Sequence, residues 1–205
     1  MTALYLASSS QSRQQLLRDA GFSFEVLKTS SHPEPFDTQA SLQKNVGDAA
    51  LFKAKTVILP DPNVATAPII VITADTLIAD VAGNILRKPA DLADAHQQLR
   101  QLRAGKCRIG TAVVVQKFEL SQHKEWRSAQ VEQLYSESHA EFYVPDEQFE
   151  AYFSHLPFAL HACGSGIIEG FGAQFLKSFS GSYSGALGLP VYEVAATLKK
   201  LSPTK

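Results

Sequence analysis

The sequence predicts an α/β protein with some antiparallel hairpins. Three observations lead there. Short β-branched runs alternate along the chain with segments of helical periodicity. The most apolar run, PIIVITAD at residues 68–75, has no polar alternation and reads as a central strand covered on both faces. Two long strand-like segments, residues 109–118 and 128–144, meet across the polar stretch SQHKEWRS and read as a pair.

Each element has a local reason. Residues 3–8 form a short buried strand. Residues 11–20 form a helix, with Ser10 as its N-cap, Leu16, Leu17 and Ala20 inward, and Gly21 as its stop. FEVLKT, residues 24–29, gives a second strand, and SSHPEPFD a loop whose prolines bias their neighbours away from helix. Residues 41–59 form a long helix with Leu42, Val46, Ala49, Ala50, Ala54 and Val57 on one stripe. Lys53 lies on that stripe, so it either snorkels out along its stem or reaches into a cleft.

PIIVITAD ends on Asp75, and TLIADVAGNIL turns back around Ala82 and Gly83. A helix over about 91–103, capped by Asp91 and ended near Gly105, points Leu92, Ala95, Leu99 and Leu102 inward. Another short helix begins at Pro145-Asp146. Residues 161–190 hold seven of the 12 glycines, a density that demands close backbone approach or positive φ instead of a packed helix. A last helix, with Pro190 near its first turn, runs to about residue 201.

Composition bounds the function. A chain of 205 residues holds one well-buried domain or two small lobes. With 45% hydrophobic and 19% charged residues it is an ordinary globular protein. A formal net charge of −1 gives no global pull toward nucleic acid or an anionic membrane, so any anion site is local. Two cysteines, Cys107 and Cys163, make neither a disulfide framework nor a C-x-x-C metal pattern, and they point to the cytoplasm. The first residues lack the basic region of a secretory signal, and no apolar run approaches the roughly 18 residues of a membrane span.

Several residues could carry chemistry. LASSSQSRQQLL, residues 6–17, places three serines and Arg13 where a strand gives way to a helix. That is either a plain N-cap with a serine-filled turn, or a gathering of N–H groups, hydroxyls and a guanidinium around an anion. Asp75, at the end of the most apolar strand, is either a turn former or a placed carboxylate, since open α/β sheets bind ligands at strand carboxyl ends. Arg13, Lys53 and Lys88 could neutralise a polyphosphate, while Asp75 with Glu34 or Glu169 could bind Mg²⁺ or poise a water. The chain has no G-x-x-x-x-G-K-[ST] loop and no G-x-S-x-G elbow.

LASSSQSR, ALFKAK, ITADT, GNILRKP and EGFGAQFLKSFSGSYSGALGLP, in this order over residues 4–198, together resemble the Maf family of house-cleaning nucleoside triphosphate pyrophosphatases. The resemblance implies one Maf-like domain over residues 1–205, with an elongated mixed sheet, flanking helices and two lobes around a central cleft. It implies hydrolysis of a nucleoside triphosphate to the monophosphate and pyrophosphate with Mg²⁺ or Mn²⁺, and a homodimer. Asp75 matches the family's proton-accepting acid, Arg13 the second arginine of its S-P-R-R, and Ser8 and Ser10 its serines. Lys53 matches the lysine of L-A-x-x-K-A, and Lys88 that of G-K-P.

The resemblance is imperfect at positions tied to base selection. Ser12 replaces the arginine of the dTTP/UTP group and the tryptophan of the 7-methyl-GTP group. Thr76 looks like the dTTP/UTP group. Glu169, in GSGIIEGFG, looks like the 7-methyl-GTP group, where a carboxylate suits a cationic guanine edge. Together these tilt the expectation slightly toward 7-methyl-GTP. The family's usual D-E or E-E pair is replaced by Ser31-His32-Pro33-Glu34, with Glu34 as the displaced candidate for a second metal-binding acid. His32, His161 and Cys163 read as loop or packing residues, and Arg87 as a further phosphate contact or a solvated side chain. Two rivals follow: a degenerate module that binds nucleotides without hydrolysing them, and an inosine-type triphosphatase, whose N-terminal motif differs.

Overall fold

The computed structural model describes residues 2–29, 32–65 and 67–202. It is α/β, with one mixed seven-stranded sheet and helices packed on it. Strand β1 (Ala3–Leu6) leads into α1 (Gln11–Asp19), then β2 (Glu25–Val26), α2 (Leu42–Lys55), β3 (Ile69–Ala79) and β4 (Ile85–Leu86). Helix α3 (Leu92–Leu102) precedes the long strands β5 (Cys107–Leu120) and β6 (Trp126–Phe142), then α4 (Phe149–His155), β7 (Leu176–Ser180), α5 (Tyr183–Ala186) and α6 (Val191–Leu201). The order in the sheet is β2-β1-β3-β5-β6-β7, with β4 on β3. Strand β1 runs parallel to β2 and β3, whereas β3–β4 and β6–β7 are antiparallel.

The chain divides into two compact units. The first comprises Met1–Asp75, Thr111–Tyr135 and Leu187–Lys205. Its central strands β3 and β5 are buried on both faces, which is why their sequences show no polar alternation there. One face carries Leu6, Ile70, Ile72 and Ala74 with Val113 and Val115 against Leu17 of α1 and Leu189, Val194, Leu198 and Leu201 at and within α6. The opposite register carries Tyr5, Ala7, Ile69, Val71 and Phe118, packed with Leu27, Val57, Leu59 and Trp126.

Helix α1 begins and ends as its local chemistry dictates. Ser10 Oγ accepts from the Arg13 amide, and Gly21, at φ +80°, lets the Phe22 and Gly21 amides reach the carbonyls of Leu17 and Arg18.

The second unit, Thr76–Gly110 with Ser136–Ala186, has an aromatic core. Tyr152 meets Phe142, Phe153 and Phe175 edge-on, with ring centroids 5.3–6.2 Å apart, and His96 lies against Phe149 and Phe153. The glycine-rich stretch becomes a chain of short 3₁₀ turns between Pro157 and Phe175 instead of a long helix. A side chain at Gly172 would collide with the Ile167 carbonyl, so the turn closes only on glycine.

Several boundaries differ from the sequence expectation. Strand β3 does not end on Asp75 but continues through Thr76–Ala79 before the hairpin to β4, in which Ile78 pairs Leu86. An aspartate side chain is accommodated inside the strand because a lysine meets it, as described below. Helix α2 stops at Lys55, and Val57 instead bridges to Thr29 as extended chain. Strand β2 shortens to two residues. Ala20 and Leu92, expected inward, are exposed; they stand at the C-cap of α1 and the first position of α3, at the ends of their apolar stripes. Strand β7 was not expected, its glycine-flanked run LKSFS having only weak alternation. Ser30 and Ser31 of the proline-broken loop lie outside the described residues.

Candidate active site

Two clusters of predicted side chains form within the first unit. The first is the turn after β1. The Ala7 amide donates to the Ile72 carbonyl at 2.8 Å, and the chain then leaves the sheet through Ser8-Ser9-Ser10 into α1. Ser8 Oγ accepts from the Ser10 amide at 3.2 Å and from Arg13 Nη1 at 3.3 Å. Arg13 Nε donates to the Gly188 carbonyl at 2.8 Å, so a residue 175 positions away sets the guanidinium's orientation. Ser10 therefore caps the helix, as the plainer reading of the turn expects, and Ser8 accepts from the Arg13 guanidinium. Ser12 is half-buried on the first turn of α1.

The second cluster lies where α2 crosses β3. Ala50 and Lys53 are three apart and share a helix face, and Thr73 and Asp75 are two apart and share a strand face. Thr73 Oγ donates to the Ala50 carbonyl at 3.1 Å, which ties the two elements together. One turn further on, Lys53 Nζ donates to Asp75 Oδ1 at 2.5 Å and lies 3.4 Å from the Ala74 carbonyl. Glu34 Oε1 stands 3.2 Å from the same ammonium. The side chains of Lys53 and Asp75 are only 17% and 12% exposed, and that of Glu34 is 40% exposed. Lys53 thus does not snorkel outward; a buried carboxylate draws it in.

Register relates the clusters: Leu6 pairs Ile72, so Ser8 leaves the sheet beside the strand segment that leads to Asp75, three residues and about 10 Å on.

The other predicted residues belong to the second unit. Thr76 is half-buried on β3, and Lys88 is exposed on the segment after β4. Glu169 is half-buried at the start of a 3₁₀ turn; burial pushes its carboxyl upward, against the amides of Glu169 and Ile168 that pull it down.

Sequence reasoning missed three supporting residues. Asn45, 2% exposed, accepts from the Asp37 amide and donates to the carbonyls of Asp37, Ala40 and Ser41, pinning to α2 the loop that follows Glu34. Its signal was available: a polar residue on the Leu42–Ala49 stripe. Tyr152, fully buried, donates to the Ser165 carbonyl and accepts from the Ile167 amide, both at 2.8 Å, and so holds the turn that leads to Glu169. Gly188 contributes only a carbonyl, which leaves no trace in residue type.

Among the described residues no group of three or more His, Cys, Asp or Glu side chains is placed to hold a metal. Asp75 and Glu34, converging on one point, supply two hard carboxylate donors. That set fits Mg²⁺ or Mn²⁺, which complete their shells with water and phosphate oxygens.

A lysine-paired carboxylate on a central strand and a serine–arginine turn at a helix N-terminus together offer cations, hydroxyls and backbone N–H groups of the kind that suit an anionic ligand. The profile of the Maf-like protein family matches residues 3–201, and the chain belongs to that family. It is similar to the dTTP/UTP pyrophosphatase of Ralstonia nicotianae, 33% identical over 208 residues that cover 98% of this chain and 95% of the relative. The dTTP/UTP pyrophosphatase of Cupriavidus pinatubonensis is 32% identical, covering 96% of each chain. That of Neisseria gonorrhoeae is 29% identical, covering 98% and 95%. These names give no support to the slight preference for 7-methyl-GTP drawn from Glu169. No helix of the described residues is long and apolar enough to cross a membrane.

Proposed function

We propose that this protein is a nucleoside triphosphate pyrophosphatase that converts dTTP, UTP or a close pyrimidine relative to the monophosphate and pyrophosphate. The observation that carries the reading is the Lys53 ammonium held between Asp75 and Glu34 on a central strand. The names of the relatives and Thr76 support the pyrimidine base. Glu169 is compatible with it. The half-buried Glu169 carboxyl can accept from the N3–H of a uracil-type base.

In this mechanism Arg13, Lys53, Lys88 and the backbone N–H groups after Ser8 grip the triphosphate and stabilise the charge that builds on its oxygens. Ser8, Ser10 and Ser12 line the approach to it. Asp75 orients a water and accepts its proton as the oxygen bonds to the α-phosphorus. The bond from that phosphorus to the bridging oxygen breaks, and pyrophosphate leaves with the electron pair. Asp75 and Glu34 would hold the Mg²⁺ or Mn²⁺, whose contribution when bound is to neutralise phosphate oxygens. The protein acts as one domain over residues 1–205, as a homodimer and in the cytoplasm; Cys107 and Cys163, which are not joined in a disulfide, support that compartment.

The test is pyrophosphate release from a panel of ordinary and modified triphosphates with Mg²⁺ or Mn²⁺. dTTP and UTP are expected to turn over fastest, and Asp75→Asn to lower turnover by about 10²-fold or more while the fold is kept. Nucleotide binding without release would select the degenerate binding module instead, and wild-type turnover in Asp75→Asn would remove the aspartate from its role.

A further inference from the structure

Lys53 Nζ sits 2.5 Å from Asp75 and 3.2 Å from Glu34, so one ammonium neutralises both carboxylates that the reading above assigns to the metal. Its aliphatic stem is enclosed beside β3, with the Ala74 carbonyl 3.4 Å from the same nitrogen. Asp75 is itself 8% exposed, which leaves little room to approach its carboxylate from another side. A divalent ion needs carboxylate oxygens at roughly 2.0–2.2 Å. Two cations cannot share so small a space without strong repulsion.

We propose that Lys53 and the divalent cation are alternative occupants of the same seat between Asp75 and Glu34. This inference rests on the assignment of those two acids to the metal. It changes what Lys53 does: the lysine is a resident competitor that free metal must displace, and it moves onto the nucleotide only when phosphates arrive. A displaced ammonium left without an anion is costly in a half-buried site, whereas the triphosphate offers it new partners. Metal and nucleotide therefore bind with positive coupling, each tightening the other by the same factor. Free metal alone binds weakly, and the carboxylates stay closed until substrate is present.

The probe is Mn²⁺ alone, with the unbound ion counted by electron paramagnetic resonance on the full-length protein. Lys53→Met is expected to bind Mn²⁺ without nucleotide about tenfold tighter than wild type, a difference of about 1.4 kcal/mol. An unreactive dTTP analogue is expected to tighten Mn²⁺ binding in wild type far more than in the variant. Lys53→Gln removes the charge but keeps a donor for Asp75, so it serves if the methionine variant does not fold. Mn²⁺ binding equal to or weaker than wild type in the folded Lys53 variants overturns the proposal. Asp75→Asn separates the two possible failures. If it abolishes Mn²⁺ binding while the Lys53 variants bind as wild type does, only the competition is wrong. If it leaves Mn²⁺ binding intact, the metal assignment falls and the competition falls with it.

Discussion

Replacing Tyr152 by Phe isolates one hydroxyl. The ring keeps its edge contacts with Phe142, Phe153 and Phe175, so packing is conserved. What disappears is the atom that donates to the Ser165 carbonyl and accepts from the Ile167 amide. Both backbone groups lie in buried residues, Ser165 at 0% and Ile167 at 6% exposure. Each then keeps its desolvation penalty without a partner, about 1–2 kcal/mol apiece, so the substitution should cost about 2–4 kcal/mol.

For a chain of this size that lowers the melting temperature by on the order of 5–15 °C. Ser165 also sits at φ +55°, a backbone strain that the hydroxyl helps to hold. The phenol is kept well above its usual ionisation range by burial, so the loss should be the same at all pH values from acid to mildly basic. Circular dichroism melts give the stability, and hydrogen exchange of the Ile167 amide reports the brace directly. Because the braced turn leads to Glu169, discrimination between pyrimidine and purine triphosphates should relax more than turnover of the preferred one falls. A melting temperature within about 1 °C of wild type, with the Ile167 amide still protected, would refute the reasoning.

Two further predictions concern the charged residues. Arg13→Lys keeps the charge but loses the forked geometry that spans Ser8 Oγ and the Gly188 carbonyl, so the KM for the triphosphate should rise by about tenfold. An unchanged KM in a steady-state pyrophosphate assay would show that charge alone suffices. Glu169 has a carboxyl raised by burial, so its contribution to stability is full below the ordinary carboxylate range and is lost as pH rises through the raised value. Glu169→Gln should accordingly raise the melting temperature by roughly 1–3 °C at neutral pH and leave it unchanged in acid. Equal shifts at both pH values would contradict the assignment.

Local chemistry was legible in the sequence, and long-range compensation was not. The Ser10 cap, the Gly21 stop and the Gly83 hairpin follow from residue type alone, because the groups concerned lie within a few positions of one another. Asp75 read as a strand end because an isolated aspartate breaks a β-run. Its tolerance inside β3 depends on Lys53, twenty-two residues earlier on another element. The direction of Lys53 was undecidable for the same reason: stripe position places the Cβ, and only the partner places the ammonium. Glu34 was found by displacement along the loop, and the structure sets it on that ammonium. Tyr152 escaped notice because an aromatic on an apolar helix face is ordinary core, and nothing in its neighbours announces that its hydroxyl meets backbone groups 13 and 15 residues away.

The guanidinium of Arg13 takes its bearing from a carbonyl near the opposite end of the chain, on the approach to α6, whose Leu198 and Leu201 close the core over β1 and β3. Ser8, five residues away, meets the same guanidinium locally through Nη1, whereas the Gly188 carbonyl that accepts from Nε reaches it from 175 positions along the chain. A chain truncated before residue 188 would carry the serine–arginine motif without that second anchor for its guanidinium.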